Sequence, residues 1–249
     1  MYSSRKSQFR FIIALPTILP LGISMGGGVL LKISGKIINP DKPDIVRGYA
    51  EVIREITSKA YRVVVVVGGG PYARSYISCS RSIGLNQAQS DMLGIEVSRL
   101  NALLLAYAIG DDVYLPIPRG VEDVERAWST GRTIVLGGLQ PGQSTAAVAA
   151  IVAEVLGIRK VLYATDVDGI YDRDPRVYGD ARKLNVVSAD ELPRVLSQRF
   201  EAGGYELLDP LAISIIKRSC IEVVVFNGMN PHSVYKALEG SVGTRVKPC

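Results

Sequence analysis

Histidine is almost missing from this chain of 249 residues, and His232 is the single imidazole. A hydrolase built on a Ser/His/Asp or Cys/His relay would have to recruit that one residue. Its simpler reading is a solvent-side group at the start of a closing helix. Cysteine is scarce as well. Cys79, Cys220 and Cys249 lie far apart and form no C-x-x-C pair, which argues against a zinc cage or a disulfide framework and fits a reduced compartment. Aromatic residues make up 7% of the chain although hydrophobic residues make up 47%. Packing is therefore aliphatic, the usual material of buried parallel strands under helices. An excess of one charge is also absent from the body of the protein. Residues 1–28 hold Arg5, Lys6 and Arg10 and no acid, so of 29 basic residues 26 remain against 24 acids. That balance leaves no basic footprint for nucleic acid.

No unbroken apolar run reaches membrane-spanning length. Phe11–Ile23 behind the three basic residues imitates a signal peptide, but Pro16 and Pro20 interrupt it and it is too short to cross a bilayer. Translation is expected to begin at Met25, with residues 1–24 a non-native or disordered extension. N-terminal sequencing of natively expressed protein tests this.

What the chain does contain, from Val29 onward, is an alternation of strand and helix patterns. Strands are expected at Val29–Ile33, Val63–Val67, Val113–Ile117, Thr133–Leu136, Val161–Ala164 and Glu222–Phe226. Five consecutive valines suit a strand buried on both faces. Helices are expected at Asp44–Lys59, at Ser90–Ile109 with Ser90 as N-cap, and at Val121–Ser129, Ser144–Leu156, Asp209–Arg218 and Pro231–Leu238, with one more opened by Gly68-Gly69-Gly70 and carrying Arg74. The alternation predicts an α/β fold, a mostly parallel central sheet with helices on both faces. Asp166–Val187 reads as turn-rich and charged. The change near Thr165 divides the chain into an acceptor lobe, 25–164, and a donor lobe, 165–249, sharing one sheet.

Open parallel sheets bind ligands at the carboxyl ends of their strands, and four loops fall there. The first, Lys32-Ile33-Ser34-Gly35-Lys36, combines a glycine that lets peptide N–H groups approach phosphate with two lysines four apart; alone it is a weak signal, a solvated pair beside a turn being the commoner reading. The second, Gly68-Gly69-Gly70, follows the valine strand and opens a helix carrying Arg74, a phosphate signal of middling strength. The third is Gly137-Gly138-Leu139-Gln140-Pro141-Gly142-Gln143-Ser144-Thr145. Gln140 and Gln143 suit the edge of a base, while Ser144 and Thr145 suit a helix cap or a phosphate. The fourth, Thr165-Asp166-Val167-Asp168-Gly169-Ile170-Tyr171-Asp172-Arg173-Asp174-Pro175, gathers carboxylates that could hold Mg²⁺ through water or orient lysines, and a ring on which adenine could rest. Asp91 fits either a favourable charge on its helix dipole or an acceptor for a ribose diol.

Taken together, these loops, with Asp91-x-x-Gly94, Ser98-Arg99-Leu100-Asn101-Ala102 and Tyr205-Glu206-Leu207-Leu208-Asp209-Pro210-Leu211-Ala212, resemble the amino-acid-kinase family, most nearly its archaeal uridylate kinases. The likeness covers essentially all of residues 28–246. It implies transfer of the γ-phosphoryl of Mg-ATP to UMP in the cytoplasm, by a homohexamer without nucleic-acid or membrane partners. It places Ser34, Gly35, Lys36, Gly70, Arg74, Thr165, Asp166, Tyr171 and Asp174 on ATP. It places Gly69, Asp91, Gly138, Leu139, Gln140, Pro141, Gly142, Gln143, Ser144 and Thr145 on UMP. Lys32, Lys36 and Arg74 are the implied catalytic cations, and no protein-held metal cage is implied, Mg²⁺ arriving with ATP. Asp166 departs from the pattern, since Asn is expected there in the archaeal enzymes and Asp in relatives such as acetylglutamate kinase. Rival readings are a kinase of the same fold acting on acetylglutamate, carbamate or isopentenyl phosphate, and a non-catalytic nucleotide or oxyanion binder. Those acceptors carry no base, which leaves the glutamines and Asp91 without a task.

Overall fold

In the computed structural model, residues 28–59, 61–173, 175, 177–197 and 207–248 are described, so the expectations for residues 1–24 and for Asp174 fall outside the described part. The elements run β1 (Gly28–Ile33), α1 (Pro43–Ser58), β2 (Arg62–Val67), α2 (Gly70–Ser82), α3 (Gln87–Ile109), α4 (Val121–Ser129), β3 (Ile134–Leu136) and α5 (Thr145–Val155). They continue with β4 (Lys160–Thr165), β5 (Val186–Ser188), α6 (Leu192–Ser197), α7 (Pro210–Arg218), β6 (Glu222–Asn227), α8 (Ser233–Glu239) and β7 (Thr244–Lys247). The strands form one seven-stranded sheet in the order β3-β2-β1-β4-β6-β7-β5, parallel throughout except where β7 runs antiparallel to β6.

The valine strand explains the layering. Successive side chains of a strand point to opposite faces. Val64 and Val66 pack with α4, α5 and α7 on one face, whereas Val63, Val65 and Val67 pack with α1, α3 and α8 on the other. Both faces are covered, which is why the run has no polar alternation. The helix α3 is long and apolar enough to cross a membrane by length and composition, but it lies along the second face, its Ala102, Leu105, Ala106 and Ile109 buried in that core.

Three expectations are corrected. Ser90 does not cap α3. Asn86 does, in a capping box with Gln89, while Ser90 is buried a turn further in and accepts from the Ser80 hydroxyl at 2.8 Å. The run 113–117 is not a strand. Val113 alone makes a bridge, to Thr133, because Pro116 and Pro118 cannot donate to a ladder. The cysteines are not all reduced thiols: Cys220 is disulfide-bonded, and Cys79 is exposed and free. Distance along the chain does not fix distance in space.

Candidate active site

The order β3-β2-β1-β4 makes neighbours of the four strands whose exits carry the predicted loops. From β1 the chain moves outward through β2 to β3 and then returns to β4 on the other flank of β1. The switch point of the sheet therefore lies between β1 and β4, where open α/β sheets hold ligands. Lys36, just past β1, and Asp166, just past β4, close an ion pair of 2.7 Å across that point. Burial pushes the Asp166 carboxyl up. The Lys36 ammonium outweighs this by hydrogen bond and charge, aided by a backbone N–H and the Thr165 hydroxyl, and the carboxyl lies below its ordinary range.

The first two loops touch backbone to backbone. A Cβ on Gly35 would stand 2.3 Å from both the Gly68 carbonyl oxygen and the Gly70 nitrogen, and one on Gly70 would stand 2.2 Å from the Gly35 carbonyl oxygen. Gly70 also has φ +65°, the left-handed region. No larger residue fits at either position. Ser34 N–H donates to the Ala164 carbonyl at 3.0 Å and Gly68 N–H to the Ile33 carbonyl at 2.9 Å, so both turns are fixed to the strand ends. The loop after β1 is pinned further by the Lys42 ammonium on the Lys36 carbonyl, 2.6 Å, and by the Asn39 amide on the Gly35 carbonyl, 3.1 Å. The helix α2 begins at Gly70 with Pro71 in its first turn, no acidic residue there and no side-chain cap. Its leading N–H groups are the orphan donors that helix N-termini offer to anions.

The third loop is built onto α3. Gly142 N–H donates to Asp91 at 2.9 Å, Gly138 N–H to the Ser98 hydroxyl at 2.7 Å, and the Arg99 guanidinium to the carbonyls of Gly138 and Leu139 at 3.1 and 3.0 Å. Asn101 donates in turn to the carbonyls of Gly68 and Gly69, at 3.0 and 3.3 Å, so one helix holds two loops. Asp91 lies in the second turn of α3 rather than at its start, and its other oxygen accepts from Gln87. Ser144 caps α5 and Asp209 caps α7, and the Ser144 hydroxyl donates to the Asp209 carboxylate, bringing two helix N-termini together. Gln140, Pro141 and Gly142 are exposed, whereas Leu139 is buried. The oxygen Oε1 of Gln143 is buried without a hydrogen-bond partner, a condition found at no other side-chain atom among the described residues.

The other two predicted cations flank the switch point on β1 and α2. Lys32 is 3% exposed, and its ammonium donates to the Tyr163 hydroxyl at 2.6 Å, 3.9 Å from the centre of that ring. Arg74 is exposed on α2, one turn beyond the glycine loop. The fourth loop is a hairpin. Ile170 and Asp172 pair with Leu184 and Arg182, Tyr171 is half-buried opposite Lys183, and Asp168 accepts from Asn227 at 2.9 Å. Sequence reading assigned no task to Ser98, Arg99, Asn101 or Asp209. Polar residues on one stretch of an otherwise apolar helix were the available signal.

The model of the amino acid kinase family matches residues 28–227. A uridylate kinase from Hyperthermus butylicus is 50% identical over 214 residues, covering 86% of this chain and 95% of its own. Another from Sulfurisphaera tokodaii is 40% identical over 223 residues, 88% of this chain and 99% of its own. The crystal structure of uridylate kinase from Archaeoglobus fulgidus superposes with a TM-score of 0.78 at 34% identity, covering 88% of this chain and 99% of that one. With the four strand exits gathered at one switch point, these likenesses mean that the chain belongs to the amino acid kinase family.

Proposed function

We propose that this protein is a UMP kinase, which moves the γ-phosphoryl of Mg-ATP to UMP and yields UDP and ADP for pyrimidine nucleotide biosynthesis. One observation carries the choice of acceptor. The buried Gln143 Oε1 has no donor of its own, and a buried acceptor left unpaired costs about 1–3 kcal/mol. The imide N–H of uracil is such a donor. Isopentenyl phosphate has no N–H, and acetylglutamate and carbamate carry theirs on an amide or carbamoyl group, not on a planar base whose edge would meet both glutamines.

In this reading UMP lies against Gly69, Asp91 and the loop Gly138, Leu139, Gln140, Pro141, Gly142, Gln143, Ser144 and Thr145. ATP lies against Ser34, Gly35, Lys36, Gly70, Arg74, Thr165, Asp166 and Tyr171. The lobe 25–164 holds the acceptor and reaches the donor's phosphates through the loops after β1 and β2, and the lobe 165–249 holds the donor's nucleoside end. A phosphate oxygen of UMP forms its bond to the γ-phosphorus while the bond to the β,γ-bridging oxygen breaks, and the electron pair leaves with ADP. Such a loose transition state asks for alignment and positive charge rather than a base. Lys36, pre-aligned by Asp166, supplies charge at the switch point. Lys32 joins it by turning away from Tyr163, and Arg74 and the α2 N-terminus hold phosphate oxygens. The donor set fits Mg²⁺ arriving on the phosphates. Magnesium takes one or two carboxylates besides substrate oxygens, and Asp166, ionised beside the phosphate loops, would hold it through water. When bound, the ion neutralises charge on the donor phosphates.

The proposed assembly is a homohexamer in the cytoplasm. On α3, Leu93, Val97, Leu100, Leu104 and Tyr107 recur at spacings of four and three, and Leu100 and Tyr107 are 66% and 67% exposed. That stripe suits a second copy of the same helix. Sedimentation velocity of Leu100→Glu, expected to show smaller species than the parent, tests this.

A steady-state assay of ADP release across UMP, CMP, acetylglutamate, carbamate and isopentenyl phosphate tests the function. UMP should give the highest kcat/KM. A higher value with any acceptor lacking a base would overturn the assignment.

A further inference from the structure

We infer that Arg99 is a positioning residue for the acceptor, setting the place of the loop after β3 without touching substrate. The inference rests on the placement of UMP against that loop. Arg99 is 7% exposed, and its guanidinium distributes its donors over backbone. Nε donates to the Gly138 carbonyl at 3.1 Å, and Nη2 to the carbonyls of Leu139 at 3.0 Å and Arg119 at 3.4 Å. Nη1 meets the Glu96 carboxylate at 2.6 Å, and Arg119 shares that carboxylate at 3.5 Å. A planar fork that holds two successive loop carbonyls fixes both their separation and their plane, which an ammonium on a flexible stem does not.

The neighbouring geometry shows how tightly the position is specified. A Cβ on Gly137 would stand 2.6 Å from the Arg99 backbone nitrogen and 2.7 Å from the Ser98 hydroxyl oxygen, so the loop lies directly on the helix backbone. Ser98 accepts from Gly138 N–H while Arg99 donates to the Gly138 carbonyl, so both polar groups of one residue are held from α3. Four residues beyond Leu139, Gln143 carries the unpaired buried oxygen. Its place therefore depends on where the guanidinium puts the start of the loop. The strands beneath set the floor of the site, and Arg99 sets its rim.

The test is a comparison of Arg99→Lys, Arg99→Met, Ser98→Ala and Gln143→Ala in the full chain, with KM for UMP and for ATP measured separately and kcat/KM for UMP compared with CMP. The expected result is a rise in KM for UMP of about tenfold in Arg99→Met, the size of one charge-assisted hydrogen bond, with KM for ATP within about twofold of the parent. Arg99→Lys should be nearly as impaired, Ser98→Ala should shift the same constant less, and preference for UMP over CMP should narrow in all three. If Arg99→Met does not fold, Arg99→Lys carries the same expectation. An unchanged KM for UMP in the Arg99 variants, with a raised one in Gln143→Ala, would overturn the inference and leave the acceptor site standing. If Gln143→Ala were unchanged as well, the placement of UMP on this loop would fall, and the inference with it. A parallel rise of both KM values would make Arg99 a general structural staple.

Discussion

At the scale of single residues, the account turns on Lys36. It is the predicted catalytic cation found with its ammonium across the switch point, held there by Asp166. Lys36→Ala removes a charge from the moving phosphoryl group, and kcat should fall by at least ~100-fold in stopped-time assays at saturating nucleotide. A folded variant with near-parental kcat would remove Lys36 from that role. The Asp166 partner leaves a signature in stability. Its carboxyl titrates lower in the folded protein than in the unfolded chain, so the pair's contribution is fully present above the unfolded value, about 3.9, and is lost as pH falls through the folded value. Urea denaturation should therefore give a constant stability gap between the parent and Asp166→Asn above about pH 5, narrowing as the pH drops below about 4. A gap that widened in acid would contradict the sign. Both residues were readable in the sequence as a lysine after one strand and an aspartate after another. That a carboxylate of the fourth loop could orient a lysine was readable too; that the pair is Lys36 with Asp166 depends on β1 and β4 being neighbours although more than a hundred positions separate them.

At the scale of elements, glycines at the strand exits are steric requirements rather than hinges. Gly70→Ala would drive a Cβ into the Gly35 carbonyl at a positive φ, and stability should fall by more than about 2 kcal/mol in urea titrations. A loss under ~0.5 kcal/mol, the range of neutral surface changes, would mean that the two loops do not meet as described. The long regular elements were legible because burial on both faces leaves a simple pattern, as in Val63–Val67 and in the apolar part of α3. Errors came where short-range chemistry overrode that pattern. The capping box of Asn86 and Gln89 starts α3 three residues before the expected first position, and the prolines at 116 and 118 dissolve an apparent strand. The short strands β5 and β7 escaped notice because three or four half-buried residues carry too little periodicity to read.

At the scale of the whole molecule, one sheet with a single switch point explains how residues as distant as Lys36, Gly70, Gln143 and Asp166 come to lie on loops at neighbouring strand exits. The loops after β3 and β2 take one side of that point and the loop after β4 takes the other, so two anions can meet end to end over β1. The fold class could be read from the strand–helix alternation alone, whereas each loop read singly stayed ambiguous and only the set of four pointed to one site. The helix α3 as the common frame of two loops could not be read, because its polar side chains act on backbone atoms that no sequence pattern marks. A molecule in which adenosine and uridine are joined through five phosphates spans both predicted subsites at once. Initial rates measured against it should show competitive inhibition with respect to ATP and, separately, with respect to UMP. Competition with one nucleotide and not the other would contradict a single trough shared by donor and acceptor.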